Sequence, residues 1–293
     1  MLRTSLSLLA ACCLLAAADW KIDHATVAGR DLQQMQASLK KAGIDSVYGG
    51  AHTNHATEMA LVSFPDGSYL ELMGIQANAD QAAVRAHEWS KYLTADAGPC
   101  AWALRVGDIA AEVARLKAAG VTVSAPENGG RQRPDGVKLQ WQTSSIGEGT
   151  RGGFFPFLIQ DRTPREQRVY PQGKPVTREF RGIARVVIAV RNLDDAVKRY
   201  RKAYGLPEPI KQADAEFGAQ LALMGGGTVV LAAPLNADSW LTKRLDRIGE
   251  APCAFVLAAN NLDKWRTETK SRWFATEIRW LDAGWMLGVE AAR

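Results

Sequence analysis

The chain has 293 residues, of which 47% are hydrophobic and 23% charged, and its formal net charge is +5. This balance excludes a disordered protein, and the length exceeds that of a minimal disulfide scaffold. The small excess of Lys and Arg is scattered and lacks interleaved aromatic residues, so we expect no nucleic-acid partner.

The first 18 residues have the pattern of an export signal. Arg3 gives a short positive start, an apolar run covers residues 6–18, and small residues precede Asp19 at the expected cleavage point. The apolar run is too short for a stable membrane span. We therefore expect an exported, periplasmic protein. A lipobox-like segment ending at Cys12 leaves a lipoprotein as the alternative.

Two cysteines remain after the leader, Cys100 and Cys253. Each follows a proline and precedes an apolar strand-like run, so the two positions look equivalent in two copies of one unit. We expect both to be small buried apolar residues. An oxidising compartment leaves a disulfide between them as the alternative.

The sequence repeats one pattern four times: a strand-like apolar run, a short polar residue that can cap a helix, and then a helical periodicity. Two or three further strand-like runs follow each predicted helix, which indicates an α+β fold of tandem βαβββ modules. The first three helices are expected to end at Gly43, Gly120 and Gly205. The four predicted caps are Asp31, Asp108, Asn192 and Asn261.

A proline-rich and glycine-containing stretch divides these modules into two pairs. Residues 19–161 are predicted to form the first domain, 162–181 a linker and 182–293 the second domain. The Arg and Lys residues of the linker are interpreted as a solvated connector.

The first module resembles a known family. The segments Ile22-Asp23-His24 and Gly67-Ser68-Tyr69-Leu70-Glu71-Leu72, with four tandem modules, are similar to the glyoxalase-like domain family of the vicinal oxygen chelate superfamily. The resemblance implies two domains with curled mixed or antiparallel sheets around a cavity. It also implies a divalent metal, Zn, Mn, Fe or Ni, held by His24 and Glu71.

The other modules lack these two ligands. Superposition of the caps places Ala101, Arg185 and Ala254 against His24, and no residue that can ligate a metal is placed against Glu71. Glu290 remains as a third acid if the second domain closes on the first. We therefore interpret the second domain as degenerate and structural, and the protein could bind no metal at all.

Three ionisable residues near the first-module site are candidates for proton transfer: His52, His55 and Glu58. The ordinary pKa of histidine suits a general base near neutral pH. The alternative interpretation is that both histidines are exposed loop residues.

The second module supplies candidates for substrate binding. Trp141, Phe155 and Phe157 could line an apolar pocket, although core packing is the alternative. Arg105 interrupts an apolar strand, where it could bind an anion or simply be paired.

These observations predict a small-molecule cavity in the first domain. The resemblance implies metal-dependent lyase, isomerase or dioxygenase chemistry there. The alternative is a metal-free, sequestering protein of the bleomycin-resistance type, and a structural envelope protein is a third interpretation. A small molecule is the expected partner, and pairing of modules between chains would give a homodimer.

Overall fold

A computed structural model describes residues 20–293 of the chain. The predicted signal peptide and Cys12 lie outside these residues. Within the described part, no helix is both long and apolar enough to cross a membrane.

The first half of the chain builds one sheet of eight strands with four helices. The strands are β1 (Ile22–Ala28), β2 (Val47–Ala51), β3 (Thr57–Ser63), β4 (Tyr69–Ile75), β5 (Gly98–Arg105), β6 (Glu127–Gln132), β7 (Lys138–Ser144) and β8 (Phe157–Asp161). The helices are α1 (Leu32–Lys41), α2 (Gln81–Ala86), α3 (Ser90–Thr94) and α4 (Ile109–Ala118).

The second half builds another sheet of eight strands. The strands are β9 (Phe180–Ala189), β10 (Ile210–Asp214), β11 (Ala219–Met224), β12 (Val229–Pro234), β13 (Ala251–Ala259), β14 (Lys270–Trp273), β15 (Thr276–Asp282) and β16 (Met286–Ala291). The helices are α5 (Arg165–Val169), which precedes this sheet, α6 (Leu193–Tyr204) and α7 (Trp240–Ile248).

Both sheets have the same topology. In the first, the order is β2-β3-β4-β1-β5-β8-β7-β6, and the second repeats it as β10-β11-β12-β9-β13-β16-β15-β14. β1 runs parallel to β4 and antiparallel to β5, so the two modules of a sheet meet at their first strands. The predicted α+β fold of four modules in two domains is therefore confirmed.

All four predicted caps form, and three of them begin a full helix. The side chains of Asp31, Asp108 and Asn192 each accept a hydrogen bond from the first turn of α1, α4 or α6. The side chain of Asn261 also accepts a hydrogen bond, from the backbone of Asp263, but only a 3₁₀ turn follows it. The chain leaves that turn at Trp265, which is buried and packs on Phe180 with ring centroids 4.7 Å apart. The fourth predicted helix is thus replaced by an anchored turn.

The two domains share one apolar core. A single hydrophobic cluster includes the helix-facing sides of both sheets together with α1, α4 and α6. Tyr200 of α6 donates a hydrogen bond to the carbonyl of Phe154 at 2.5 Å, and Trp20 packs on Tyr204. The second domain therefore covers the outside of the first sheet.

Residues 162–181 are not a solvated connector. Arg168 of α5 is buried and bonds Asp23 and Asp161 of the first domain, and Arg165 also pairs with both carboxylates. The buried Asp23 and the partly buried Asp161 are compensated by these cationic partners, which draws this part of the predicted linker onto the first domain.

Cys100 and Cys253 are both buried and free. Burial raises the pKa of the Cys253 thiol to about 12, so this thiol stays protonated. The disulfide considered as an alternative is not formed.

The concave face of the second sheet is filled by side chains. The rings of Phe217, Trp273 and Trp280 contact one another, with the centroid of Phe217 4.9 and 5.3 Å from those of the two tryptophans, and Leu241 of α7 belongs to the same cluster. The position that corresponds to His24 holds Arg185, which is buried in an ion pair with Glu290 at 2.5 Å. Glu290 is therefore not a third acid for the first domain.

Candidate functional site

The concave face of the first sheet surrounds a cavity of about 290 Å³. This volume is near the lower end for small-molecule sites. Its wall combines histidines, arginines, two acids and aromatic rings. The residues used below are His24, His52, Tyr69, Glu71, His87, Glu88, Trp89, Gly129, Gly130, Arg131, Trp141, Arg151, Phe157 and Arg168.

His24 and Glu71 lie side by side because β1 and β4 are adjacent and parallel, with Thr26 opposite Glu71. The Nε2 atom of His24 is 3.9 Å from Oε2 of Glu71. The Thr26 hydroxyl donates to the same oxygen at 2.9 Å. Alternation along the strand directs Tyr69 and Glu71 to the cavity, whereas Leu70 joins the core.

Asp23 fixes the orientation of His24. Its carboxylate lies 2.7 Å from Nδ1 of His24 and also binds Arg165 and Arg168. Burial alone would raise the pKa of Asp23, but the charge of Arg168 and the His24 hydrogen bond hold it well below its usual range. The ionised carboxylate therefore accepts the Nδ1 proton, and Nε2 of His24 is directed to the cavity side, toward Glu71.

His52 adds a second imidazole to the wall. Its Nδ1 is 2.8 Å from the Thr57 hydroxyl, which positions the ring. Burial lowers the pKa of His52, and Glu71 opposes this shift only in part. Burial likewise lowers the pKa of His87. Both imidazoles are thus favoured in the neutral form.

Arg131 lies on β6, at the edge of the sheet, and is 6% exposed. One N–H group donates to the carbonyl of Gly49 on β2, which links the two edges of the curled sheet. Burial lowers the pKa of this guanidinium. Arg151, by contrast, is paired with Glu88 at 3.3 Å.

The donor set does not fit a metal held by three or four protein ligands, as catalytic sites require. In the second module, Ala103 pairs with Phe157 as Thr26 pairs with Glu71 in the first, so Phe157 is equivalent to Glu71 and Ala101 to His24. The partner module therefore offers no donor at the matching positions. Across residues 20–293, no three His, Cys, Asp or Glu side chains are grouped to hold a metal ion. The nearby guanidinium of Arg131 would also repel a cation.

Two of the four predicted substrate-binding residues line the cavity, and the other two lie elsewhere. Trp141 and Phe157 line the cavity. Phe155 instead packs against Tyr200 in the core between the domains, because it lies just before β8 begins. Arg105 lies away from the cavity, near the Gly67 turn at the other end of the sheet.

Of the three proton-transfer candidates, only His52 lines the cavity. His55 is exposed on the loop, with a left-handed φ of 55°. Glu58 lies on the other face of β3 from Met59 and accepts a hydrogen bond from the Tyr48 hydroxyl at 3.0 Å. Strand alternation accounts for the difference.

The sequence interpretation missed Arg131, Arg168, His87, Glu88 and Trp89. Arg168 reaches the site from the predicted linker, and His87 and Trp89 come from the short segment between α2 and α3. The sequence contains one signal for Arg131, because this charged residue directly follows the two glycines Gly129 and Gly130. Such a pair is typical of a close approach between backbone and ligand.

Two curled sheets of paired βαβββ modules, with a cavity on the concave face of one, define a protein of the vicinal oxygen chelate class. The sequence profile described as "Glyoxalase-like domain" matches residues 22–205. The chain belongs to this family. No curated protein matches the sequence significantly.

Solved structures share the fold over most of the chain. A hypothetical protein from Staphylococcus aureus is 16% identical, with 92% of this chain and 99% of that chain covered and a TM-score of 0.62. A mutant of 4-hydroxymandelate synthase from Streptomyces coelicolor is 13% identical, with 94% of both chains covered and a TM-score of 0.64. At these identities the likeness shows the fold alone.

Proposed function

We propose that the first domain binds a small organic molecule in its cavity and that protein side chains, without a metal, hold this molecule. The observation that carries the proposal is the wall of the cavity. It keeps His24 and Glu71 side by side but places Ala101 and Phe157 where further ligands would be needed. Of the functions expected from the sequence, this arrangement favours the metal-free binding protein.

The polar floor and the aromatic walls support the same function. Trp89, Trp141 and Phe157 offer flat apolar surfaces, while Oε2 of Glu71 and Nε2 of His24 lie 3.9 Å apart. A ligand hydroxyl placed between them would donate to Glu71 and form a hydrogen bond with Nε2 of His24. Small-molecule sites commonly combine apolar walls with a few placed polar groups in this way.

Proton transfer on the bound molecule is a second candidate function, favoured by His52. This ring is held by Thr57, lines the cavity and is favoured in the neutral form that can accept a proton. A ligand that is consumed by the wild-type protein but bound unchanged by His52→Gln would support it. Equal turnover by both proteins would contradict it.

Metal content and ligand binding test the main proposal. The protein would be dialysed against mixed divalent metals, analysed for bound metal, and then screened in chelator for small organic compounds that raise its melting temperature. We expect no stoichiometric metal, and stabilising compounds that lose their effect in His24→Ala/Glu71→Ala. The matched control is His55→Ala/Glu58→Ala, which removes the same residue types outside the cavity.

About one metal per chain in the wild type, retained in the control and lost in the His24→Ala/Glu71→Ala variant, would overturn the metal-free proposal. Binding that requires an added metal would do the same. Compounds that stabilise both variants equally would contradict the cavity as the binding site.

We further propose that the protein is exported, because residues 1–18 have the composition of a signal peptide. Intact mass of the protein isolated from its native envelope fraction tests this. A chain that begins at Asp19 supports the periplasmic form, and a lipid on Cys12 supports the lipoprotein. A chain that retains its first 18 residues contradicts export.

A further inference from the structure

The guanidinium of Arg131 is placed differently from every other buried arginine among residues 20–293. Arg168 pairs with Asp23 and Asp161, and Arg185 pairs with Glu290. Arg244 has no acidic partner but donates to three backbone carbonyls. Within the described chain, Arg131 forms no ion pair, and its single hydrogen bond is to the carbonyl of Gly49.

A guanidinium carries five N–H donors. One bond to Gly49 leaves most of the donors of Arg131 directed to groups outside the protein, on a side chain that is 6% exposed and lines the cavity. Burying a charge without a counterion is unfavourable, and a charged ligand can remove that cost. Neither acid of the cavity wall forms an ion pair with Arg131: Glu71 accepts a hydrogen bond from Thr26, and Glu88 pairs with Arg151.

The surroundings of Arg131 indicate the shape of the ligand. Gly129 and Gly130 precede it on β6 and line the cavity with backbone alone. The indole of Trp141 lies against Gly129, so close that a Cβ atom there would be 2.5 Å from Nε1. On the side of Gly129, the anionic group is therefore bordered by a flat aromatic surface.

We propose that Arg131 binds the carboxylate of a small aromatic carboxylic acid whose ring lies among Trp141, Trp89 and Phe157. Planar guanidinium and carboxylate groups match in two parallel hydrogen bonds. A cavity of about 290 Å³ suits a ligand of the size of a benzoate. A ring hydroxyl at the far end would reach His24 and Glu71. This inference rests on the proposed function of the cavity.

The test compares charged and neutral ligands of one shape. Benzoate and 4-hydroxybenzoate would be titrated into the full protein in chelator, beside benzamide and 4-hydroxybenzamide, with tryptophan fluorescence as the readout. We expect the carboxylates to bind the wild type about 10- to 100-fold more tightly than the amides. We expect Arg131→Gln to remove that preference and Arg131→Lys to keep part of it.

The matched control is Arg162→Gln, which removes the same charge from an exposed position directly after β8. It should keep the wild-type preference. The comparison of acid with amide on the wild type needs no variant, so the proposal stays testable if Arg131→Gln fails to fold.

The outcomes separate the two proposals. Amides that bind as tightly as the acids, or acids that bind Arg131→Gln as tightly as the wild type, would overturn the carboxylate assignment and leave the binding cavity intact. If neither these probes nor any compound of the broader screen binds, the function of the cavity is itself contradicted.

Discussion

Asp23 links the candidate site to the rest of the first domain. It is fully buried, and its two oxygens bind one imidazole and two guanidinium groups. The same carboxylate therefore orients His24 toward the cavity and attaches Arg165 and Arg168 to the sheet. Asp23 therefore contributes both to the geometry of the site and to the stability of the fold.

Replacing this carboxylate should therefore destabilise the protein. We expect Asp23→Asn to lower the free energy of unfolding by about 3–5 kcal/mol, because it leaves Arg168 buried with one acid fewer. Urea denaturation measures this change. The control, Asp31→Asn, keeps a good helix cap and should change stability by less than about 0.5 kcal/mol. An equal effect of the two substitutions would contradict the role of Asp23.

The pH dependence of that stability follows from the lowered pKa of Asp23. A carboxyl group whose pKa is lower in the folded state stabilises the fold above its unfolded pKa, near 4, and loses this contribution as the pH falls through the folded pKa. The difference in stability between wild type and Asp23→Asn should therefore shrink below about pH 4. Unfolding curves from pH 7 to pH 3 test this, and a constant difference would contradict it.

His52 should titrate below the ordinary histidine pKa of about 6.5, because burial disfavours its charged form. Histidine NMR signals followed from pH 8 to pH 5 give the value directly, with His52→Gln to assign the resonance. As the pH falls, His52 is protonated in the unfolded chain before it is protonated in the folded protein. The free energy of unfolding therefore decreases below about pH 6.5. A measured pKa at or above 6.5 would show that the ring is solvated or ion-paired.

Part of the site was predictable from single residues. Alternation along β4 indicates that Tyr69 and Glu71 share one face and Leu70 lies on the other, and in the fold these are the cavity face and the core face. The alternation alone does not distinguish a cavity face from an exterior one. Arg168 was not predictable, because nothing local distinguishes a cavity arginine from an exposed one, and for Arg131 the local signal is the preceding Gly129-Gly130 pair. Only the pairing of β6 with the rest of the sheet, and the return of α5, bring them to His24.

At the level of elements, β6 depends on its glycines. A Cβ atom at Gly130 would lie 2.6 Å from the backbone oxygen of Leu139 on the paired strand, and backbone cannot move aside as a side chain can. The edge strand β6 therefore lacks side-chain packing at its glycines, and this leaves space beside the cavity.

We expect Gly130→Ala to destabilise the protein by about 1–3 kcal/mol, because the strand pair must separate to admit the methyl group. Thermal unfolding measures the effect. Gly107→Ala is the control, since no atom lies within 4 Å of a Cβ atom built there. It should be neutral or slightly stabilising. If the two variants melt at the same temperature, the close approach at Gly130 is not a constraint.

The elements themselves were predictable where capping residues and hydrophobic periodicity agreed. Asp31, Asp108 and Asn192 each begin a helix, and Gly205 ends one in the left-handed conformation. The short helices α2 and α3 were not predicted, because five or six residues are too few to show a periodicity. The 3₁₀ turn after Asn261 shows the converse, that a cap alone does not make a helix.

On the scale of the whole molecule, Arg244 joins the two domains. Its guanidinium is 8% exposed and donates to the carbonyls of Ala97 and Pro99 in the first domain and of Pro252 in the second. Burial lowers its pKa. The side chain replaces the hydrogen bonds that these carbonyls would otherwise have made with water.

Arg244→Met should keep most of the packing but leave these carbonyls unsatisfied, at a cost of about 2–4 kcal/mol. Urea denaturation followed by both fluorescence and circular dichroism gives the loss and also shows whether the domains still unfold together. Arg247→Met, on the exposed side of α7, is the control and should change little. Unchanged stability of Arg244→Met would show that water reaches the carbonyls.

The shared core and the contacts of α5 with the first domain determine at which position the chain can be divided into two pieces. A break after residue 161 would take Arg168 away from Asp23, whereas Gln172, Gly173 and Lys174 form an exposed turn beyond α5. Pieces separated at that turn would keep the buried charges of each half paired and expose complementary apolar faces. Produced together, they should reassociate into a split protein whose assembly can be followed through ligand binding.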